Sequence, residues 1–275
     1  MASIERTVLE VERGTVTERR DHLADESPVE IRLQGVPLAV LMRTPGDDVA
    51  LVRGFAITEG IVTSPDEIAA VDPVDVGDRW ELRLADGVEI DPERFRRSAY
   101  VSSSCGVCGK ASIDAVRVAG RRPPAGPRLT ASLPGEWISA LGRRQPAFGR
   151  TGGLHAAAVC EPDGTVLASA EDVGRHNAVD KAIGDLSGRR WPLGEVVLVV
   201  SGRISFEITQ KAAVAGIPVV CGVSAGSSLA AELADELGLT LIGFARGDRF
   251  VVYAGRERFD DLRPEAVRSN LSERT

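Results

Sequence analysis

The run Val196-Val197-Leu198-Val199-Val200, closed by Ser201-Gly202-Arg203, decides the fold. Five consecutive apolar residues fit a strand covered by helices on both faces, because a strand with one wet face would alternate with polar residues. Ser205 then stands where a helix N-cap belongs, ahead of a helical stretch reaching Ala215. The alternation continues with a strand over Ile217–Val220, a helix over Ser228–Leu237, a strand over Leu239–Phe244 and a last strand over Phe250–Tyr253. Upstream, Leu154–Val159 and Thr165–Ala168 flank a Pro-Asp-Gly turn, and Asp172 is placed to cap a helix running through Ile183. Strands and helices in turn predict an α/β layer structure.

The first half reads as a smaller mixed module. Val29–Leu33 and Pro37–Met42 predict a hairpin turning at Gln34-Gly35. Thr44-Pro45 followed by Asp47 marks a helix start, and Val49, Val52, Phe55 and Ala56 form its apolar stripe, ending at Gly60. Asp86-Gly87 predicts a second hairpin between Trp80–Leu84 and Val88–Ile90. Arg121 to Pro127, rich in proline and glycine, is the most linker-like stretch, and Pro134–Leu141 reads as a short helix with Trp137 and Leu141 on one side.

Composition narrows the function. The chain has 275 residues, 43% of them hydrophobic, so disorder is not the default and one large or two modest domains are expected. A net charge of -7 argues against a surface that coats nucleic acid. The Arg94, Arg96 and Arg97 cluster could contact phosphates, but such clusters are more often solvated faces. No apolar segment has the form of a signal peptide or the length of a membrane span. Four cysteines, two of them in one short motif, do not make a secreted disulfide framework, so a cytoplasmic, thiol-reduced setting is expected. The charged tail after Asp260 reads as frayed.

That short motif is Ser104-Cys105-Gly106-Val107-Cys108-Gly109-Lys110. Thiols spaced Cys-x-x-Cys among glycines, with Lys110 beside them, fit sulfur chemistry, since a nearby cation and a helix start both favour thiolate. The same spacing fits half of a structural zinc site, which would need two further ligands. His155 and His176 offer a mixed site without finger spacing. Cys160 and Cys221 end apolar runs and read as small buried hydrophobes. Zinc-deaminase chemistry is disfavoured, because His155 lies downstream of the cysteines and Ala157 stands where the catalytic glutamate should be.

Three further loops follow strands of the inferred sheet: Ser201-Gly202-Arg203, Ser224 to Ser228, and Ala245 to Arg249. Strand-end loops that open helices collect anionic ligands. Singly each is an ordinary turn; together they favour an anionic or nucleotide-like ligand. Neither a Walker-type phosphate loop nor a Gly-x-Gly-x-x-Gly pattern is present.

These strings carry a family resemblance. Gly54-Phe55-Ala56 to Glu59-Gly60-Ile61, the Cys105–Cys108 motif, Thr151-Gly152-Gly153-Leu154-His155, Glu171 to Asn177, Asp180-Lys181, and Ser201-Gly202-Arg203 onward to Gln210-Lys211 resemble the FdhD sulfur carriers required for formate dehydrogenase activity. Val223-Ser224-Ala225 and Leu239 to Gly243 complete the match. The resemblance implies a cytoplasmic protein that receives persulfide sulfur from a cysteine desulfurase. It passes that sulfur to the molybdenum cofactor, bis-molybdopterin guanine dinucleotide, before insertion into the formate dehydrogenase catalytic subunit.

By motif, Cys105 matches the persulfide cysteine and Cys108 its partner thiol. Phe244, Ala245, Arg246, Gly247, Asp248 and Arg249 match the segment associated with the guanine dinucleotide, and Arg203 is added to them from its strand-end position. GDP is then a surrogate ligand, and no tightly bound metal, nucleic acid or membrane is expected. The implied fold is a cytidine-deaminase-like three-layer α/β domain over residues 99–275, preceded by a smaller N-terminal α+β module over 1–98. A homodimer is left open. The alternative from another class is a zinc-stabilised binding module with Cys105 and Cys108 as ligands.

Overall fold

Residues 2–74, 78–92, 95, 123 and 125–262 are described by the computed structural model. Cys105, Cys108, Lys110, the Arg94, Arg96 and Arg97 cluster, most of the linker-like stretch and the end of the charged tail lie outside the described residues.

The apolar run at 196–200 does form the centre of a six-stranded sheet. Strands β7 (His155–Cys160), β8 (Val166–Asp172), β9 (Val197–Val200), β10 (Val219–Gly222), β11 (Thr240–Arg246) and β12 (Arg249–Ala254) assemble in the order β12-β11-β10-β9-β7-β8. β9, β10 and β11 are parallel, whereas β7 runs antiparallel to β9 and β12 antiparallel to β11. Alternate residues serve opposite faces, as the pleat requires. Ala157, Val159, Leu198, Val200 and Val220 enter one core cluster, and Ala156, Ala158, Val197, Val199 and Val219 enter the other.

Helix α2 (Leu133–Gly142) covers the second face with Trp137 and Leu141, both buried. It is followed by the short α3 (Pro146–Thr151). The first face carries α4 (Arg175–Ser187), α5 (Phe206–Val214) and α6 (Ser228–Leu237), which supply Ala178, Ala182, Ile208, Ala212 and Ala230 to its core. Among the described residues no helix is long and apolar enough to cross a membrane.

In the first half, β3 (Ser27–Leu33) and β4 (Val36–Arg43) form the predicted hairpin, and α1 (Asp48–Thr58) the predicted helix. The second predicted hairpin does not exist. Residues 85–87 do turn, but 88–90 form no strand; β6 (Arg79–Leu84) pairs instead with β5 (Ile68–Pro73) and, in parallel, with β3. With both edges of β6 occupied, no ladder remained for residues 88–90. The resulting sheet has the order β4-β3-β6-β5. Its Val29, Ile31, Leu33 and Leu82 belong to the same core cluster as α1 and α4. Ahead of it, β1 (Ser3–Glu12) and β2 (Thr15–Ala24) make a largely exposed two-stranded ribbon that turns at Arg13-Gly14.

Helix α1 lies directly on α4, and glycines set the distance. A Cβ added at Gly54 would stand 1.8 Å from the Asp180 carbonyl oxygen, and one at Gly184 would stand 1.9 Å from that of Ala50. Backbones this close exclude any side chain. Buried charges lock the same seam: Lys211 Nζ donates to both carboxylate oxygens of Asp180 at 2.9 Å and to Thr58 Oγ1 at 2.9 Å, while Thr58 Oγ1 donates to Asp180 Oδ1 at 2.7 Å. Glu59 joins Lys211 at 3.0 Å.

Asp172 was expected to cap α4; the N-cap residue is instead Gly174. The Asp172 carboxylate sits one turn earlier, fully buried, and accepts from the backbone N–H of Thr44 and Gly174 and from Asn177 Nδ2. It also pairs with Lys181 at 2.8 Å. Its role is to bind the chain at Thr44, between β4 and α1, to the end of β8. Ser205 does occupy the N-cap of α5, but its side chain makes no capping bond.

Candidate functional site

Loops after parallel strands gather at one end of a sheet, and here they are tied to one another. Ile204 N–H donates to the Ala225 carbonyl at 2.9 Å and Ser227 N–H to the Ile204 carbonyl at 3.0 Å, so the turn after β9 is zipped to the turn after β10. Phe244 N–H donates to the Ser224 carbonyl at 3.0 Å, which joins the end of β11 to the same turn. The three loops singled out by sequence therefore form one continuous rim.

Within that rim the Phe244–Arg249 segment is a tight hairpin. Phe244 has a φ of +51°, a left-handed conformation that side-chain-bearing residues rarely adopt, and its ring is 46% exposed. A half-exposed aromatic held in such a backbone offers a flat face to solvent; strain of this kind persists where surrounding structure enforces it. Ala245 between them is fully buried and anchors the strand. Arg246 and Arg249 are directly opposed across the hairpin, both exposed, and neither side chain forms an ion pair among the described residues. Like charges in register repel. An anion between them would turn that repulsion into binding. Gly247 and the exposed Asp248 make the turn, and Gly247 is braced by α2, since a Cβ on Gly135 would stand 2.2 Å from the Gly247 carbonyl oxygen.

The strands beside β9 bring further groups to this rim. β7 begins at His155 and β8 ends at Asp172, paired in register, so both lie at the end where β9 gives way to Ser201-Gly202-Arg203. Arg203 is exposed. His155 is half-buried, and burial, followed by the charges of Arg175, His176 and Arg203, holds its pKa below the ordinary value of 6.5 against the opposing pull of Asp172. It is neutral at pH 7. His176 Nε2 lies 2.9 Å from Glu207 Oε2, with both side chains largely buried. The two histidines, treated by sequence as a weak mixed zinc pair with Cys105 and Cys108, are therefore neighbours of different character: one is committed to an acid and the other is not.

Cys160 and Cys221 are fully buried in the sheet. Desolvation pushes the Cys160 thiol up to about 12 and raises that of Cys221 further. Both are inert packing residues, as their apolar contexts predicted. Among the described residues no group of three or more His, Cys, Asp or Glu could hold a metal ion.

The sequence profile of the FdhD/NarQ family matches residues 24–260. The chain is 49% identical over 269 residues to the "Sulfur carrier protein FdhD" of Streptomyces avermitilis, covering 92% of this chain and 94% of that protein. The protein of the same name from Mycobacterium tuberculosis is 46% identical over 275 residues, covering 94% and 98%. A solved structure of a putative formate dehydrogenase accessory protein from Desulfotalea psychrophila shares the fold, with a TM-score of 0.75 over 94% of this chain and all of that one, at 24% identity. With mixed α/β architecture, motif strings and family profile in agreement over most of its length, the chain belongs to the FdhD/NarQ family.

Proposed function

We propose that this protein is a cytoplasmic sulfur carrier that takes persulfide sulfur from a cysteine desulfurase on Cys105 and passes it to bis-molybdopterin guanine dinucleotide, before that cofactor enters formate dehydrogenase. The observation that carries the proposal is that relatives almost half identical over more than nine-tenths of each chain are named as sulfur carriers. The matched span 24–260 includes the Cys105-Gly106-Val107-Cys108 motif.

In the loading step the Cys105 thiolate attacks the outer sulfur of the donor persulfide. The donor's S–S bond breaks, its cysteine leaves as a thiolate, and Cys105 holds the sulfur as a new persulfide, with Cys108 as the partner thiol. The acceptor side supports the same reading. Arg246 and Arg249 suit the phosphates of the guanine dinucleotide, as guanidinium groups pair phosphate bidentately, and the exposed Phe244 ring suits a base. Under this reading residues 99–275 form a domain of cytidine-deaminase-like fold without deaminase chemistry, and residues 1–98 a smaller module docked on it.

Incubation with a desulfurase and cysteine, followed by intact mass spectrometry, is expected to add one sulfur to the parent and none to Cys105→Ala. An undiminished adduct on that variant rejects the assignment. Near-stoichiometric zinc in protein prepared without added metal, released only on unfolding, would favour the zinc-stabilised module instead.

A further inference from the structure

Two hydrogen-bonding side chains at the carboxyl end of the main sheet lack partners among the described residues. His155 and Arg203 make no side-chain hydrogen bond or ion pair among the described residues. Of the acids near them, Asp172 is engaged by Lys181, Asn177 and two backbone N–H groups, and Glu207 lies 2.9 Å from His176 Nε2. In the same turn, Ser205 Oγ is buried and also lacks a hydrogen-bond partner among the described residues. A buried hydroxyl without a partner is costly. An oxyanion would accept from that hydroxyl and from the N–H groups of His155 and Arg203.

The backbone allows His155 and Arg203 to act together. A Cβ on Gly202 would come within 3.3 Å of His155 Nδ1 and 3.6 Å of its Cε1, so the imidazole lies against the turn that carries Arg203. Arg175, at the start of α4, and His176 add positive potential at His155, and Asp172 opposes them. A neutral imidazole there can donate an N–H without repelling the guanidinium beside it.

We propose that His155, Arg203 and Ser205 form an oxyanion subsite for a phosphoryl group, distinct from the Arg246–Arg249 hairpin. The two sets belong to different sides of the sheet edge. The hairpin is braced by α2, which covers one face, whereas the Ser201–Ser205 turn leads into α5, which covers the other. A ligand whose phosphoryl groups are far enough apart to reach across β10 would be gripped at two points. Where that ligand is the guanine dinucleotide cofactor, the inference rests on the proposed function; a free phosphate or pyrophosphate would use the same chemistry.

Calorimetric titration of the full chain with GDP and, separately, with inorganic pyrophosphate tests the subsite. Arg203→Ala and His155→Ala should each weaken both ligands about ten-fold or more, the size expected for a lost charge-assisted bond. Arg203→Lys and His155→Gln, which retain a charge or a donor, should recover part of that loss; a purely structural role would not follow this pattern. Gly202→Ala, whose Cβ would press on the ring at 3.3 Å, should weaken both ligands less than His155→Ala does. If Arg246→Ala abolishes GDP binding while Arg203→Ala and His155→Ala bind both ligands like the parent, the subsite is wrong and the nucleotide reading stands. If pyrophosphate binds in an Arg203- and His155-dependent manner but GDP does not bind, the subsite stands and the nucleotide reading falls. A parent that binds neither ligand overturns both.

Discussion

Replacing Gly54 by alanine should destabilise the protein, although alanine is the better helix former. In an open helix the change would gain about 0.5–1 kcal/mol, because glycine loses more backbone freedom on folding. Here the new methyl would stand 1.8 Å from the Asp180 carbonyl oxygen and 2.5 Å from its carbon, and both are backbone atoms that cannot rotate away. Helices α1 and α4 must part by about 1 Å or more, and overpacking of this kind costs about 1–3 kcal/mol. The displacement also stretches the Thr58–Asp180–Lys211 bonds, now 2.7–2.9 Å long, in a buried network where a charge that loses its partner costs about 3–5 kcal/mol. Partial loss of that network leaves a net penalty of about 2–4 kcal/mol. Gly149→Ala supplies the internal control: this glycine sits in α3, exposed, with no atom within 4 Å of the added methyl. Urea unfolding should show Gly54→Ala lowered by about 1 M in midpoint and Gly149→Ala equal to or above the parent. A Gly54→Ala protein as stable as Gly149→Ala would refute the account of the seam.

Two further outcomes follow from other groups. Because burial raises the Cys160 thiol to about 12 from an unfolded value near 9.0, the folded state keeps a proton that the unfolded chain releases. Stability should therefore be fully present below about pH 9 and decline as pH rises towards about 12, and Cys160→Ala should lessen the decline, with Cys221 keeping its own share, while leaving sulfur loading intact; a pH series of denaturation midpoints reads this. Arg246→Ala and Arg249→Ala should each weaken GDP by about ten- to a hundred-fold, corresponding to about 1.5–3 kcal/mol per lost charge-assisted contact. Unchanged affinity in both folded variants would move the nucleotide site elsewhere.

What the sequence made legible follows from where the signal lies. Strands β9 to β11 announce themselves because burial on both faces leaves uninterrupted apolar runs, and the hairpin at Gln34-Gly35 because its turn residues and its one buried face agree. The β1–β2 ribbon was invisible for the opposite reason. Ile4, Leu9, Val11, Val16 and Leu23 are all exposed, so no face of it alternates against a core. β5 was missed because Ile68 to Val71 is only partly buried, and without it Asp86-Gly87 was read as turning β6 back on a partner that β3 and β5 had already replaced.

The candidate site shows the same division between local and long-range information. Strand-end loops were found from their order along the chain, but their bonding into one rim depends on Ile204, Ser224 and Ser227, which carry no sequence signal for it. Several motif strings also separate by role once their partners are known. Gly54, Asp180 and Lys211 hold the α1–α4–α5 seam, Lys181 holds Asp172 at the end of β8, and all four are accounted for by packing and buried charge. His155 and Arg203 have no comparable structural explanation, because neither has a partner among the described residues and the nearby Asp172 carboxylate is engaged by Lys181. A polar side chain that the fold does not use is where a ligand is to be sought. By that criterion the rim, rather than the seam, is the surface on which substitutions should alter binding while leaving stability nearly unchanged.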